Sequence, residues 1–358
     1  MNDEFYIKRT LRLAAKAQGM TSPNPMVGAV LVKNGEIIAE DFHKKPGTPH
    51  AEALVIEKAG ENTKNAILYV NLEPCCHTDK RTPPCTKAII HAGIKKVIFS
   101  ISDPNPKVSG KGTLELQKAG IEVKSGILED EAKKLNEAYI KYITTGKPFV
   151  ILKIAMTLDG KIATPEGQSK WITGEKARRI VHRLRSGVDA IMTAIGTVKA
   201  DNPQLTVRIQ SGKNPRRIII DPNLEIPLNA RVLQIPPETI IVTRTDTPKS
   251  DYLLKSGIKI IYFNKLLELN WLLEKLGDMD ITSLLIEGGA SLNAHALEDG
   301  IVDKIMIFIA PIIIGGKESY PAVGGKTFKK LEEAYRVEDM KIRRIGQDLL
   351  LEGYICKT

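Results

Sequence analysis

His50-Ala51-Glu52, Glu73-Pro74-Cys75 and Pro84-Cys85 supply an imidazole, two thiols and a carboxylate that together could activate water on zinc. Imidazole and thiolate suit Zn²⁺, and three protein ligands leave a fourth position for the reacting water. An acid two residues after the histidine is the proton carrier such chemistry needs. A lone H-x-E triplet arises by chance, but joined to two Pro-Cys pairs it is specific. The competing readings are a core histidine with buried thiols, or a disulfide scaffold. Three of only four cysteines fall in this stretch, vicinal Cys75 and Cys76 would pair poorly, and Cys356 stands alone near the C-terminus. Metal binding is the economical reading.

These residues need elements to hold them. An apolar helical face runs through Ile7, Leu11, Ala14 and Ala15, predicting a helix over Asp3–Gln18 that stops at Gly19. Asn34-Gly35 between Val27–Val32 and Ile37–Ala39 predicts a hairpin. Pro49 introduces a helix carrying His50 and Glu52, which lie about 200° apart around it, so the two would not chelate together. The strand Ala66–Leu72 runs into Glu73-Pro74-Cys75, and Cys85 opens the next helix, to His91. His50 and Cys85 thus sit near positive helix ends, which favour a thiolate. Strands Lys96–Ser100 and Ile121–Lys124 and a charged helix Glu129–Tyr142 follow. Thr144-Thr145-Gly146-Lys147-Pro148 breaks the pattern and predicts a boundary between residues 1–145 and 146–358.

The chain has 358 residues, 42% of them hydrophobic, enough for two cores. Met1–Thr10 is polar and charged, unlike a signal peptide, and Ile305–Gly315 is too short to span a bilayer. Few cysteines fit a reducing, cytoplasmic setting. The net charge of +10 would suit nucleic acid, phosphorylated small molecules or an anionic cofactor, but lysines and glutamates are interspersed as on ordinary solvated helices.

The second half restarts with strand Phe149–Ala155. Helix Glu175–Arg185 and strands Ala190–Ala194, Arg217–Ile220, Thr239–Val242 and Lys259–Tyr262 follow. A helix over Leu266–Leu276, strand Ser283–Ile286, a helix to Leu297, strand Lys304–Ala310 and strands Lys341–Arg344 and Leu349–Tyr354 close the chain. Alternating strands and helices predict an α/β sheet with an antiparallel addition at one edge. Glu287-Gly288-Gly289 opens the helix after Ser283–Ile286. Paired glycines there could hold a phosphate or could only solve a steric problem, and they are not the G-x-G-x-x-G dinucleotide fingerprint. Ser169–Gly174 and Thr197–Pro203 read as polar loops. Trp171 within them could cap a core or line a cofactor site.

Thr21-Ser-Pro-Asn-Pro-Met-Val-Gly28, His50-Ala-Glu52, Glu73-Pro-Cys75 and Arg81-Thr-Pro-Pro-Cys85 together resemble the riboflavin-pathway pyrimidine deaminases. Leu158-Asp-Gly-Lys-Ile-Ala163, Ser169-Lys-Trp-Ile-Thr173, Thr197–Pro203 and Glu287-Gly-Gly289 resemble the matching reductases, in the order of the bifunctional family. The resemblance covers nearly the whole chain. It implies a cytidine-deaminase-like α/β/α domain followed by a dihydrofolate-reductase-like α/β domain. The first would deaminate 2,5-diamino-6-ribosylamino-4(3H)-pyrimidinone 5′-phosphate, and the second would reduce the ribosyl group to ribityl with NADPH. It also implies His50, Cys75 and Cys85 as ligands to one Zn²⁺, Glu52 as proton shuttle, and Asn24, His43, His77 and Arg81 as substrate contacts. In the reductase it implies Ala155, Trp171, Thr197, Asp201, Gly289, Ala290, Ser291, Leu292, Asn293, Ala294 and His295 as the NADPH site. Lys153, Ser169, Arg185, Leu205, Arg208 and Glu287 would hold the ribotide, the arginines matching phosphate oxygens with their forked donors. Thr243 and Arg244 would either touch the 2′-phosphate or belong to a solvated loop.

The family usually has eight residues between the two cysteines, whereas this chain has nine, which leaves Lys80 or Arg81 to fill the basic position. A loop absorbs one residue at little entropic cost, so ligation should survive. Cys76 reads as a bystander. The expected partners are a phosphorylated small molecule and a second copy of the chain, as a homodimer or a tetramer, with no nucleic acid and no membrane. The alternative is a tRNA-type base deaminase with a C-terminal nucleic-acid-binding domain. Against it, the second half lacks basic clusters interleaved with aromatics, which make up only 5% of the chain.

Overall fold

The computed structural model of the chain describes residues 2–77, 83–210, 212–325 and 328–356. Its backbone divides into two compact units, Met1–Gly146 and Lys147–Thr358. In the first, α1 (Asp3–Ala15) is capped by Asn2, whose side chain accepts from the Phe5 N–H. Next come the hairpin β1 (Gly28–Lys33) and β2 (Glu36–Phe42), then α2 (Ala51–Ala59) and β3 (Ile67–Leu72). Two further helix–strand pairs follow: α3 (Cys85–His91) with β4 (Lys96–Ile101), and α4 (Lys111–Lys118) with β5 (Glu122–Lys124). Asn34 and Gly35 both take positive φ, 52° and 83°, as the tight hairpin turn requires.

The five strands lie in the order β2-β1-β3-β4-β5, with β1 antiparallel to β2 and β3 and the other pairs parallel. Side chains alternate across this sheet. Ala29, Leu31, Leu68, Val70, Val97 and Phe99 pack with Val55 of α2, Ile89 of α3 and Leu116 of α4. Val30, Val32, Tyr69 and Ile98 pack instead with Tyr6, Ile7 and Leu13 of α1. Helices therefore cover both faces, giving α/β/α layering.

One element departs from the sequence reading. The charged stretch 129–142 forms two helices, α5 (Glu129–Leu135) and α6 (Glu137–Thr145), broken at Asn136. The Asn136 side chain is committed elsewhere: Oδ1 accepts from Met26 N–H at 2.8 Å and Nδ2 donates to Met26 C=O at 3.0 Å. Helix α6 ends at Gly146, in the left-handed region at φ 71°.

The second unit opens with β6 (Phe149–Thr157), β7 (Lys161–Ala163), α7 (Glu175–Ser186) and β8 (Ala190–Ala194). Then come α8 (Ile195–Asp201), β9 (Arg216–Ile220), β10 (Thr239–Thr243), α9 (Pro248–Lys255) and β11 (Lys259–Tyr262). The rest is α10 (Leu269–Gly277), β12 (Ser283–Ile286), α11 (Ala290–Glu298), β13 (Lys304–Ala310), β14 (Tyr320–Pro321), β15 (Val337–Ile345) and β16 (Asp348–Ile355). Nine strands form one sheet in the order β11-β10-β9-β8-β12-β6-β13-β16-β15. It is parallel through β13, and the antiparallel β16 and β15 extend that edge. Leu272, Leu273 and Leu276 of α10 and Leu292 and Ala296 of α11 cover one face. Ala177 and Val181 of α7 pack on Met306 and Phe308, on the other side of β13 from Ile305.

Residues 197–201, read from sequence as a loop, belong to α8. That helix stops at Asn202, which takes φ 41°, with Pro203 directly after it. The first strand of the unit, β6, lies between β12 and β13 in mid-sheet. The chain runs from it through β8, β9 and β10 to β11 at one edge, then returns through β12 to β13 on its other side, reversing direction there. The carboxyl ends of strands at such a reversal are where α/β sheets usually form binding crevices.

Candidate active sites

In the first unit, His50 is the extended residue that caps α2, at φ −72° and ψ 164°, rather than a residue within the helix. Glu52 is therefore on the first turn of α2, and Cys85 opens α3 after the capping Pro84. Cys75 lies in the segment leaving β3. These elements bring three donors together. His50 Nδ1 is 3.5 Å from Cys75 Sγ and 3.3 Å from Cys85 Sγ, and all three atoms lie within 4.8 Å of one another. Zinc bonds of ~2.0 Å to nitrogen and ~2.3 Å to sulfur at a tetrahedral angle put N and S about 3.5 Å apart. The donor set and its spacing fit that ion.

Glu52 is buried, and its Oε2 has no hydrogen-bond partner among the described residues. Burial first, then the neighbouring Cys75, pushes its pKa above the ordinary carboxylate value, while His50 pulls the other way. An acid of this kind beside a metal triangle can accept a proton and return it. Beside it, the buried His43 ring packs edge-on against His50, with ring centres 5.2 Å apart. One tautomer satisfies both His43 contacts: Nδ1–H donates to Pro49 C=O at 3.2 Å and Nε2 accepts from Asn24 Nδ2 at 3.1 Å. Asn24 is in turn next to a clamped segment. Asn71 donates to Met26 C=O and accepts from Gly28 N–H, and Asn136 grips Met26 from the other side. His77 is described and half-buried; Lys80 and Arg81 lie outside the described residues.

In the second unit, Ile286 on β12 pairs with Leu152 on β6 and Met192 on β8. Glu287 and Lys153, one residue further on, are therefore side by side. Glu287 accepts from Lys153 Nζ at 3.3 Å and from Arg185 Nε and Nη2 at 2.7 and 3.0 Å. Burial alone would raise the Glu287 pKa, but Arg185 and Lys153 outweigh it and bring it down to about 2. Arg185 Nη1 also donates to Thr206 C=O at 3.1 Å, next to buried Leu205. Two cations on one carboxylate leave positive charge to spare, and exposed Arg208 adds to it. His182, three residues before Arg185 on α7, was not singled out in the sequence. Its Nδ1 is buried with no hydrogen-bond partner among the described residues. Burial, then Arg185 and Arg208, lowers its pKa. The i, i+3 spacing to Arg185 was the signal available.

Gly288 is sterically required, because a Cβ there would lie 2.9 Å from Leu292. Gly289 is different: a Cβ there would find only Thr197 Oγ1, at 3.9 Å, so open space lies beside the start of α11. The N–H groups of its first turn, Ala290, Ser291 and Leu292, together with the Thr197 hydroxyl, fit an anionic cofactor group there. The side chains of Leu292, Asn293 and Ala294 are buried, and Asn293 donates to Ala322 C=O at 2.8 Å. His295, further along, is paired with Asp299 at 3.4 Å. Ser169 and Lys170 reach Asp201 at the end of α8, at 3.4 and 3.1 Å. Trp171 is 66% exposed, with the Arg178 guanidinium 4.6 Å above its ring, and Ala155 shares the β6 face of Lys153. Thr243 is buried on β10, where its hydroxyl donates to Pro222 C=O and accepts from Thr245 N–H; Arg244 donates to Asn223.

Comparison with known proteins follows the same division. Residues 1–101 match the cytidine and deoxycytidylate deaminase zinc-binding region, and residues 148–351 match the RibD C-terminal domain. The chain is 45% identical to riboflavin biosynthesis protein RibD of Actinobacillus pleuropneumoniae, over 98% of this chain and 95% of that protein. It is 44% identical to that of Aquifex aeolicus, over 98% and 97%. Among solved structures, Acinetobacter baumannii RibD superposes with a TM-score of 0.91 at 37% identity, covering 99% of each chain. The Thermotoga maritima diaminohydroxyphosphoribosylaminopyrimidine deaminase/5-amino-6-(5-phosphoribosylamino)uracil reductase superposes with a TM-score of 0.87, also at 37% identity and 99% coverage of each.

Proposed function

Because the chain belongs to the RibD family of riboflavin-biosynthesis deaminase–reductases, we propose that its two units perform successive steps on one pyrimidine ribotide. Residues 1–145 hydrolyse the 2-amino group of 2,5-diamino-6-ribosylamino-4(3H)-pyrimidinone 5′-phosphate and release ammonia. Residues 146–358 reduce the ribosyl group with NADPH, giving 5-amino-6-ribitylamino-uracil 5′-phosphate. The observation that carries the first step is the His50–Cys75–Cys85 triangle at zinc spacing, with buried Glu52 beside it.

His50, Cys75 and Cys85 would hold one zinc ion, which when bound supplies a water acidic enough to react at neutral pH. Glu52 takes a proton from the attacking water and gives one to the departing amino nitrogen, so C–N is exchanged for C=O with no net change at the carboxylate. Asn24, oriented by His43, presents its amide to the pyrimidine. His77 and Arg81 are assigned to the rest of the ribotide.

In the reductase, Lys153, Arg185, Arg208, Ser169, Leu205 and Glu287 bind the ribotide, with surplus positive charge toward the phosphate. His182, whose neutral form burial and the two arginines favour, offers its Nδ1, unpartnered among the described residues, beside that face. Thr197, Asp201, Trp171, Ala155 and residues 289–295 form the cofactor site, where a nicotinamide when bound supplies the hydride. Residues 292–294 serve it through backbone, since their side chains are buried. Thr243 and Arg244 are the assigned contacts for the 2′-phosphate.

Nothing observed favours a tRNA-type deaminase, and residues 148–351 match the reductase family instead. No described helix is long and apolar enough to cross a membrane. A cytoplasmic setting and a homodimeric or tetrameric assembly complete the proposal. The test supplies the diaminopyrimidinone ribotide and NADPH to the zinc-loaded chain at neutral pH. Ammonia release accompanied by NADPH oxidation is expected, and the absence of both overturns the assignment.

A further inference from the structure

The Glu73 carboxylate is buried and makes four hydrogen bonds, all to a single segment. Oε2 accepts from the N–H groups of Asp103, at 3.2 Å, and Gly110, at 3.0 Å. Oε1 accepts from Thr113 N–H at 2.9 Å and Thr113 Oγ1 at 3.0 Å. Gly110 is the capping residue of α4 and Thr113 its third residue. These N–H groups have no partner inside the helix, and the positive helix end favours an anion. Glu73 thus caps α4 from a distant part of the chain, two residues before Cys75.

The docking is close. A Cβ on Gly112 would lie 2.2 Å from Pro74 C=O and 3.3 Å from Glu73 Oε1, so only glycine allows α4 to sit there. The loop leading into α4 puts fully buried Val108 against both Cys75 and Cys85. Helix α4 reaches the second thiol segment as well. Glu115 accepts from Thr86 Oγ1 at 2.9 Å, and Thr86 N–H, next to Cys85, donates to Cys75 C=O at 3.2 Å.

We propose that α4 is a clamp that sets the separation of the two thiolates, with Glu73 and Thr86 as the positioning residues through which it acts. Neither residue touches the substrate in this account; each fixes the backbone that carries a metal ligand. The proposal rests on the zinc-centre reading and adds residues that hold its ligands in place. Outer partners of this kind typically change metal affinity 10–100-fold when removed.

Two variants test it. Glu73→Gln turns an acceptor into a donor facing backbone N–H groups, and Thr86→Val cuts the link from Cys85 to α4. Zinc transfer to a chromogenic chelator should be about 10-fold or more faster in Glu73→Gln, and also faster than in the parent in Thr86→Val. The thiolate-to-cobalt bands of the Co²⁺-substituted proteins should shift, which a role confined to stability would not cause. A folded Glu73→Gln with parental release rate and spectrum overturns the proposal. If that variant does not fold, the same parental behaviour in Thr86→Val overturns it. A parent chain that takes up no zinc instead overturns the metal-centre reading, and this proposal with it.

Discussion

Glu52, buried, and Glu287, half-buried, are two acids that their surroundings drive in opposite directions. Glu52 has thiols and burial around it and binds its proton more tightly, whereas Glu287 has two cations and loses it more easily. Glu52→Gln keeps the shape but cannot carry a proton, so ammonia release should fall by about 10²–10⁴-fold. Reduction of the pre-deaminated ribotide, assayed in the same preparation by NADPH oxidation, should be unchanged; loss of both activities in a folded variant would refute the division of roles. For Glu287 the folded pKa of about 2 lies below the ordinary 4.5. Its stabilisation is therefore fully present above about pH 4.5 and lost as pH falls toward 2, on the order of 3 kcal/mol in all. Glu287→Gln leaves the half-buried Lys153 and Arg185 facing a neutral group. Denaturant unfolding near pH 7 should show the second unit less stable by about 3 kcal/mol, and the difference from the parent should shrink below pH 4.

At the level of elements, glycine positions show where helices come nearest to their neighbours. A Cβ on Gly28 would lie 2.3 Å from Thr10 C=O and 2.8 Å from Ala14 N, so α1 rests directly on β1. Gly28→Ala should push α1 outward and cost the first unit about 1–3 kcal/mol in denaturant unfolding, with the second unit unaffected. The sequence foretold most strands, because a short apolar run such as Ala66–Leu72 or Lys96–Ser100 is a local property. It also singled out His50, Cys75 and Cys85, residue types rare in this chain, whose donor atoms the fold brings within 4.8 Å of one another. What it missed depended on distant partners. The helix break at Asn136 exists because Met26, far away in the chain, claims that side chain. The cap on α4 comes from Glu73 rather than from a neighbouring Ser, Thr, Asp or Asn, so no local signature announced it. Helix α8 was hidden among polar residues that read equally well as a loop, and its stop at Asn202 left no apolar face long enough to recognise.

For the molecule as a whole, the two units have separate cores and separate ligands, so they should respond separately to them. Stripping zinc with a chelator should lower the melting transition of the first unit alone, and NADPH should raise that of the second alone, because a ligand stabilises only the fold that binds it. Calorimetry with and without each ligand reads this directly; a single transition moved by both would contradict it. The place of β6 in the sheet has a consequence during synthesis. The first unit is complete in the chain once Gly146 has been made, and its sheet needs nothing later. Strand β6 comes next, yet its partners β12 and β13 are Ser283–Ile286 and Lys304–Ala310. A ribosome therefore exposes an apolar, unpaired central strand for most of the time it spends on the second half. Domains fold N-terminal first as the chain emerges, and open strand edges are where nascent chains aggregate. The early unit can close on its own, while the late one must keep its middle strand unpaired until the chain is nearly finished.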